Sequence, residues 1–405
     1  MKNSRKMSFG RYDVATFGSF FSYAASSIII PVALVVLARD LNFSLEEGGM
    51  TAGGALHLAR TVPMILSMLL CGFAAGRWGK RRTLGWSVLL MGIGIGLCAL
   101  APAYGILFFA LTVAGFGEGI VEGLATPVVQ DLHPQEVGRY VNFTHGFWSI
   151  GVLATVLISG ALLSLGVSWR VLTGGVALTT LLPVFILLRA APHGQQYVEH
   201  PEPVHWKIIH DQIINIIHTR RFWFFFAAMF FAGGGEFCLT FWCASYIQLN
   251  FAAAAWAGGA GVACFAGGMI VGRTGGGWFI KQHRLKNLII GASIAGALIT
   301  LPFPLIENLA LFFVLLFLSG IAAAPLWPSI QTFCVDRMPA ADSTMIYILL
   351  SCAGIPGCGF FTFLMGWIGN RSESLAPAFY LVPLCFIITA ALTAAGARRT
   401  TTGNQ

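Results

Sequence analysis

Two carboxylic acids stand four residues apart in an otherwise apolar stretch, Glu118 and Glu122 within GFGEGIVEGLATPVVQDLHP (115–134). On a helix that spacing puts both on one face. An ionised carboxylate is too costly in hydrocarbon to point at lipid, so the face is expected to look into protein or into a wet cavity. A third acid, Glu236, has a similar setting, behind Gly233, Gly234 and Gly235 and ahead of Phe237, Trp242 and Tyr246. Basic counterparts lie in other apolar stretches: His57 and Arg60 less than one turn apart, and His145. Such groups hold and release protons and neutralise one another. They contain no nucleophile, base and orienter in register, so an enzyme is not expected. The nine cysteines fall mostly in apolar segments without CxxC or Cys/His ligand spacing, so small buried residues are expected and a metal is not. No phosphate-cradling glycine loop is present to power primary transport. No cofactor is expected beyond an ion gradient, of protons in the first place and of sodium in the second.

The elements that must position these side chains follow from composition. The chain has 405 residues, 57% apolar and only 10% charged, where about 25% charged is usual for a soluble domain. An all-α polytopic membrane protein is expected. Segments near 14–38, 48–75, 83–102, 104–130, 138–165, 169–189, 221–249, 252–273, 286–304, 307–334, 342–367 and 375–396 are each long enough to span, at about 20 residues per crossing. The basic head MKNSRKMSFGRYDV leads into the first of them without a small-residue cleavage site, which reads as a retained helix. With that head inside, every Lys and Arg except Arg39, Arg60, Arg170 and Arg371 falls on the same side. The bias predicts a multi-pass plasma-membrane protein, bacterial inner membrane by preference, with both termini cytoplasmic. Its partners are a small solute and the bilayer, with no nucleic acid, and a monomer is expected.

The longest polar connection divides the chain into a first six-helix bundle, 1–190, a cytoplasmic linker, 191–220, and a second bundle, 221–405. In the linker, Trp206, Ile209, Ile213 and Ile217 recur at helical spacing among charged residues. An amphipathic helix results, lying on the membrane surface or packed under the bundle. Internal repetition supports the two halves. Gly72-Phe-Ala-Ala-Gly76-Arg77 is answered by Gly268-Met-Ile-Val-Gly272-Arg273, and Thr126-Pro127-Val-Val-Gln130 by Trp327-Pro328-Ser-Ile-Gln331. Duplicated units enclose a site near the midplane.

The segment GFAAGRWGKRR (72–82) resembles the signature loop of the major facilitator superfamily at Gly72, Arg77, Gly79, Lys80 and Arg81. The fold this implies is twelve transmembrane helices in two six-helix bundles. Gly72 and Gly76 would let helices approach closely, Gly79 would take the turn, and the basic residues would face the inner surface. Gly76 stands where the family has an aspartate, and Gly272 repeats that absence, so the inner gate, with Arg273 in it, is expected to latch differently. A narrower resemblance is to the fucose permease-like branch. It is carried by Glu122 with Pro127, His133-Pro134, Asn142-Phe-Thr-His145-Gly-Phe147-Trp148 with Gly151, and Gly234-Gly235-Glu236 with Trp242 and Tyr246. It implies secondary transport of a sugar or polyol, commonly driven by protons. Ser26 and Ser27 stand where that branch often has an acid in the first helix, and Thr126 replaces its asparagine.

Depth along the spans assigns expected roles. Glu118 lies near the middle of the fourth span and Glu122 about 6 Å further in, at 1.5 Å per residue. His145 on the fifth is at the depth of Glu122, and a contact between them is geometrically open. Arg60 is expected to neutralise Glu118 or Glu122, because buried charges require partners. Glu122 is the preferred proton-coupling residue, with Glu118, Arg60 and His145 tuning it. Glu236, Trp242, Tyr246, Gln248, Ser27, Asn142 and Trp327 supply the polar groups and ring faces that a polyhydroxylated solute requires. The expected function is proton-coupled symport of a neutral monosaccharide, amino sugar or polyol by alternating access. Drug/proton antiport, a sodium-coupled or uniport sugar carrier, and a non-transporting receptor or scaffold are the alternatives.

Overall fold

The computed structural model describes residues 7–134, 137–189, 193–197, 206–279 and 284–397, with the side chains of 137–139, 141–142, 206–209, 274–279 and 343–344 outside that description. The expected contributions of Asn142, Trp206 and Ile209, and of the basic Lys2, Arg5, Lys6, Arg139, Lys207, Lys281, Arg398 and Arg399, therefore lie outside the described residues. Among the described residues, twelve helices are long and apolar enough to cross a membrane: α1 Arg11–Asp40, α2 Met50–Trp78, α3 Lys80–Ala99, α4 Tyr104–Leu132, α5 Phe143–Ser164, α6 Trp169–Leu188, α7 Arg220–Asn250, α8 Ala255–Arg273, α9 Leu285–Leu305, α10 Leu309–Arg337, α11 Met345–Arg371 and α12 Pro377–Gly396. Helices suit lipid because each satisfies its own backbone. Their ends carry caps the sequence supplies. Asp13 accepts from the Gly10 amide at 2.7 Å, Asn308 caps α10 through the Leu311 amide at 3.0 Å, and Asp342 caps α11 through the Met345 amide at 2.8 Å.

Prolines shape the interior. Pro31, Pro63, Pro127 and Pro356 lie inside helices, whereas α6 breaks at Thr180 and α10 breaks into Leu309–Ala323 and Leu326–Arg337 around Pro325. Two expectations about helix ends need correcting. The signature segment is not a loop, because α2 runs to Trp78 and α3 begins at Lys80, leaving Gly79 alone at φ 82° to make the turn. The helix of α8 continues to Phe279, so Arg273 lies inside it and not in a connection.

An even number of crossings puts both termini on one face, called here the terminal side. The linker contacts agree: Gln195 donates to Asp13 at 2.9 Å and accepts from the Tyr12 amide at 2.9 Å, at the start of α1. The linker helix Trp206–Ile217 is present, and Ile216 is buried where it meets α7 and α11, which favours the packed alternative over a surface-lying one.

The halves meet through α2 with α11 and α5 with α8. Contact is tightest on the side away from the termini. A Cβ on Gly366 of α11 would sit 2.3 Å from the Met50 carbonyl oxygen of α2, and one on Gly259 of α8 would sit 2.3 Å from the Val156 carbonyl oxygen of α5. Only glycine permits that approach. The Trp256 amide also donates to Ser164 Oγ at 2.8 Å, and His57 Nδ1 lies 2.7 Å from Thr362 Oγ1. Towards the terminal side Gln130, His145 and Tyr347 are exposed.

Candidate functional site

The α4 helix carries the two acids and is held by its glycines. A Cβ on Gly115 would lie 2.3 Å from the Arg60 carbonyl oxygen, and one on Gly119 would lie 2.0 Å from that of Met64. This close seam against α2 brings Glu118 to Arg60. Both are buried. Arg60 donates through Nε and Nη2 to the two Glu118 oxygens, and Ser26 Oγ donates to Glu118 Oε1. The remaining guanidinium donors reach the Ser26 carbonyl at 2.9 Å and Ser27 Oγ at 3.1 Å. The hydroxyls of α1 thus complete a closed ion pair, and Ser27 contributes to it from the half-buried edge.

Glu122, one turn on, does not share that arginine. It is half-buried, and no hydrogen bond to it is found among the described residues. Arg273 of α8, from the other half, is within electrostatic reach of it, but no ion pair joins the two among the described residues. Arg273 Nη2 also lies 3.7 Å from Glu236 Oε1 on α7, beyond hydrogen-bond length. Its guanidinium carbon is 5.9 Å from the ring centre of Trp148 on α5, and 36% of its side chain is exposed. The expected gate residue is therefore a partly exposed cation lying against Glu236 of its own half. His145 is brought to Thr126, with Nε2 and Oγ1 2.9 Å apart, and its ring lies 4.5 Å from that of Phe20. The contact it makes is with the threonine that stands in place of asparagine, not with Glu122.

The proposed solute contacts separate into two groups. Glu236 is buried beside Arg273, and half-buried Trp327 packs against Gly354 and Gly233, close to the Gln331 and Ser351 pair at 3.1 Å. These stay near the cavity. Trp242, Tyr246 and Gln248 do not. Trp242 is fully buried near the far side and donates to the Thr362 carbonyl at 2.8 Å. Tyr246 donates to the Phe303 carbonyl at 3.3 Å among Phe251, Phe312 and Phe379, and Gln248 donates to Ala244 at 3.1 Å. They lie two to three turns beyond Glu236 on a helix that is continuous, because its glycine run serves close packing: a Cβ on Gly233 would lie 2.6 Å from the Gly354 carbonyl oxygen. That run does not loosen α7.

The gate residues also divide. A Cβ on Gly72 would meet nothing within 4 Å, so close approach occurs at Gly272, where it would lie 2.7 Å from Ala324 Cβ. Arg77 is exposed, and Lys80 reaches Asp131 at 2.9 Å. Arg81 is buried rather than surface-facing, donating to the Leu187 carbonyl with its guanidinium 5.6 Å from the Tyr12 ring centre. Gly76 is half-buried at the end of α2.

One polar cluster went unnoticed in the sequence. Buried Asp13 accepts from His133 Nε2 at 2.6 Å, and the His133 ring stacks on Tyr140 at 3.5 Å. It joins the starts of α1 and α5 to the end of α4. His133 stood out in the His133-Pro134 motif, but its partner Asp13, a short acid near the amino terminus, reads equally as a helix cap.

Similarity to known proteins agrees with this architecture. A putative metabolite transport protein of Haemophilus influenzae is 27% identical over 176 residues, 42% of this chain and 41% of that relative, so the match spans less than half the length of either. Among solved structures, a variant of the nucleoside transporter NupG superposes with a TM-score of 0.78 at 12% identity, over 96% of this chain and 99% of that one. The fucose:proton symporter FucP of E. coli superposes with a TM-score of 0.62 at 15% identity, over 96% and 98%. At such identities the likeness is one of fold. The family model of the Major Facilitator Superfamily, whose members are transporters and not enzymes, matches residues 15–356, and the chain, with twelve membrane-length helices among its described residues, belongs to that superfamily.

Proposed function

We propose that this protein moves a small neutral polyhydroxylated solute, a monosaccharide, amino sugar or polyol, together with protons by alternating access. Both termini are cytoplasmic in this reading, and the membrane is a bacterial inner membrane. The observation that carries it is the set of ionisable side chains within the spans: Arg273, partly exposed, lies 3.7 Å from buried Glu236, and half-buried Glu122 of the other half makes no hydrogen bond among the described residues. Charged groups at such depth mark ion and solute paths. Trp148 and Trp327 offer ring faces nearby, and Gln331 and Ser351 offer polar groups matched to hydroxyls. A carboxyl group that gains and loses a proton as the cavity changes sides couples the gradient to the solute. The fucose permease-like motifs support the class of solute, and Ser26 and Ser27, bound up with Arg60, stand in for the missing acid of α1.

The test is purified protein in lipid vesicles offered a panel of sugars, amino sugars and polyols under an imposed pH gradient. Saturable, stereospecific, acid-driven uptake is expected. Uptake that needs sodium instead would reassign the coupling ion, expulsion of hydrophobic cations would favour antiport, and no flux beside a working control would remove transport.

A further inference from the structure

His57 lies in the seam between α2 and α11, where glycines let the two halves come close. A Cβ on Gly54 would lie 2.8 Å from the Thr362 carbonyl oxygen, and one on Gly359 would press on Thr61 Oγ1. Between these two points buried His57 places Nδ1 2.7 Å from Thr362 Oγ1, a side-chain hydrogen bond from the first half to the second. Its direction follows from the threonine. The one hydroxyl hydrogen of Thr362 is turned to its own helix, to the Cys358 and Gly359 carbonyls at 2.8 and 3.0 Å, so towards the imidazole the oxygen accepts and Nδ1 donates. The ring itself packs across the interface, nearly parallel to Phe237 and Phe241 of α7, with centres 5.4 and 5.1 Å away. Trp242 of α7 binds the same threonine, donating to its carbonyl at 2.8 Å. Phe237 follows Glu236 directly, so this layer begins where the ionisable side chains of α7 end.

We propose that His57 and Thr362 are the latch that holds the halves together on the side away from the termini, with Trp242 bracing it from α7, and that His57 is a positioning residue of the transport cycle. This rests on the alternating-access reading, in which that side parts once per cycle. Glycine contacts set how near α2 and α11 come, whereas a hydrogen bond has a direction and so fixes their register. The latch also has the right strength to release. It needs no charge on either side chain, so parting hands a hydroxyl and an imidazole to water and leaves no unpaired ion. One hydrogen bond exchanged for water shifts an equilibrium by a factor of about five to ten. Arg60, three residues further along α2, is spent on Glu118 within its own half and does not cross.

The experiment needs no solute, so its outcome is separable from the identity of the cargo. Spin labels at Glu47→Cys, before α2, and Glu307→Cys, before α10, occupy exposed positions on the two halves at that side. The half-buried Cys264 and Cys352 are replaced by alanine to leave only buried native thiols. Distance distributions are recorded in lipid nanodiscs, beside melting temperatures. The ratio of parted to closed populations is expected to rise about fivefold to tenfold in His57→Phe, which keeps a ring but no donor, and in Thr362→Val, which keeps the shape but no hydroxyl. His57→Asn, whose amide nitrogen reaches the place of Nδ1, is expected to recover part of the closed population. His57→Phe combined with Thr362→Val is expected to part no further than either change alone, since both remove the same bond. A folded His57→Phe with the distribution of the starting protein, or additive effects in the double variant, overturns the latch. Should His57→Phe not fold, Thr362→Val alone decides by the same reading. Solute flux with unresponsive distances removes the role of His57 and leaves transport standing; responsive distances without flux do the reverse.

Discussion

Arg60 and Arg273 each sit beside a glutamate within the membrane span, yet their surroundings differ in every respect that matters to a charge. Arg60 and Glu118 are buried, joined by two donors and completed by hydroxyls and a carbonyl of α1. Arg273 is partly exposed and 3.7 Å from Glu236, beyond hydrogen-bond length. The first pair satisfies nearly every polar atom it brings inside, which is what burial demands. The second leaves donors and acceptors unspent. The same residue types therefore build a closed ion pair in the first half and a loosely satisfied one in the second.

Breaking the closed pair has the largest expected effect. Glu118→Gln leaves Arg60 charged and unpaired, and the loss is expected to be about 3–5 kcal/mol. Thermal melting of the detergent-purified protein, with the monodisperse fraction, reads it. Replacing both partners by apolar residues of similar volume is expected to recover much of that loss. An unchanged melting temperature for Glu118→Gln would mean that the pair is not structural.

The acids outside that pair are expected to respond in function before stability. Glu122→Gln keeps size and a polar tip but carries no proton cycle. Acid-driven accumulation is expected to vanish while solute counterflow persists, with a melting temperature near that of the starting protein. Undiminished accumulation would reject Glu122 as the coupling acid and return attention to Glu118.

Glu236→Gln separates solute contact from coupling. A hydrogen bond to a charged group contributes about 1.5–3 kcal/mol, so solute affinity in equilibrium binding is expected to fall by one to two orders of magnitude. Equal affinity would place the solute elsewhere in the cavity.

The smallest effect belongs to an ion pair outside both categories. Lys80 and Asp131 are 2.9 Å apart on the terminal side, with 39% and 33% of their side chains exposed. Exposed pairs contribute about 0–1 kcal/mol. Lys80→Ala is expected to leave melting and flux nearly unchanged, and a large loss in either would show that the signature basic cluster still latches the gate.

The span boundaries were legible in the chain because apolar runs of membrane length have few alternatives in lipid, and the spans expected at 221–249 and 375–396 lie within two residues of α7 and α12. The pairing of Arg60 with an acid of α4 was legible for a similar reason, since so few buried charges exist to neutralise. The choice between Glu118 and Glu122 was not, because it depends on where the glycine seam places α4 along α2. Trp242 and Tyr246 look like cavity aromatics when read along α7, but the turns beyond Glu236 face α11, Phe303 and Phe312.

Hydropathy, charge bias and short repeated words thus determined by themselves that the chain crosses the membrane twelve times in two related halves, since those properties act locally along each segment. The tertiary structure alone decided that Arg273, read as part of a gate, lies 3.7 Å from Glu236 of α7. Its helix runs on to Phe279, beyond the apolar stretch that marks the span. What a charged side chain meets there is set by how helices distant in sequence cross, and close glycine contacts fix that crossing to within a few ångströms.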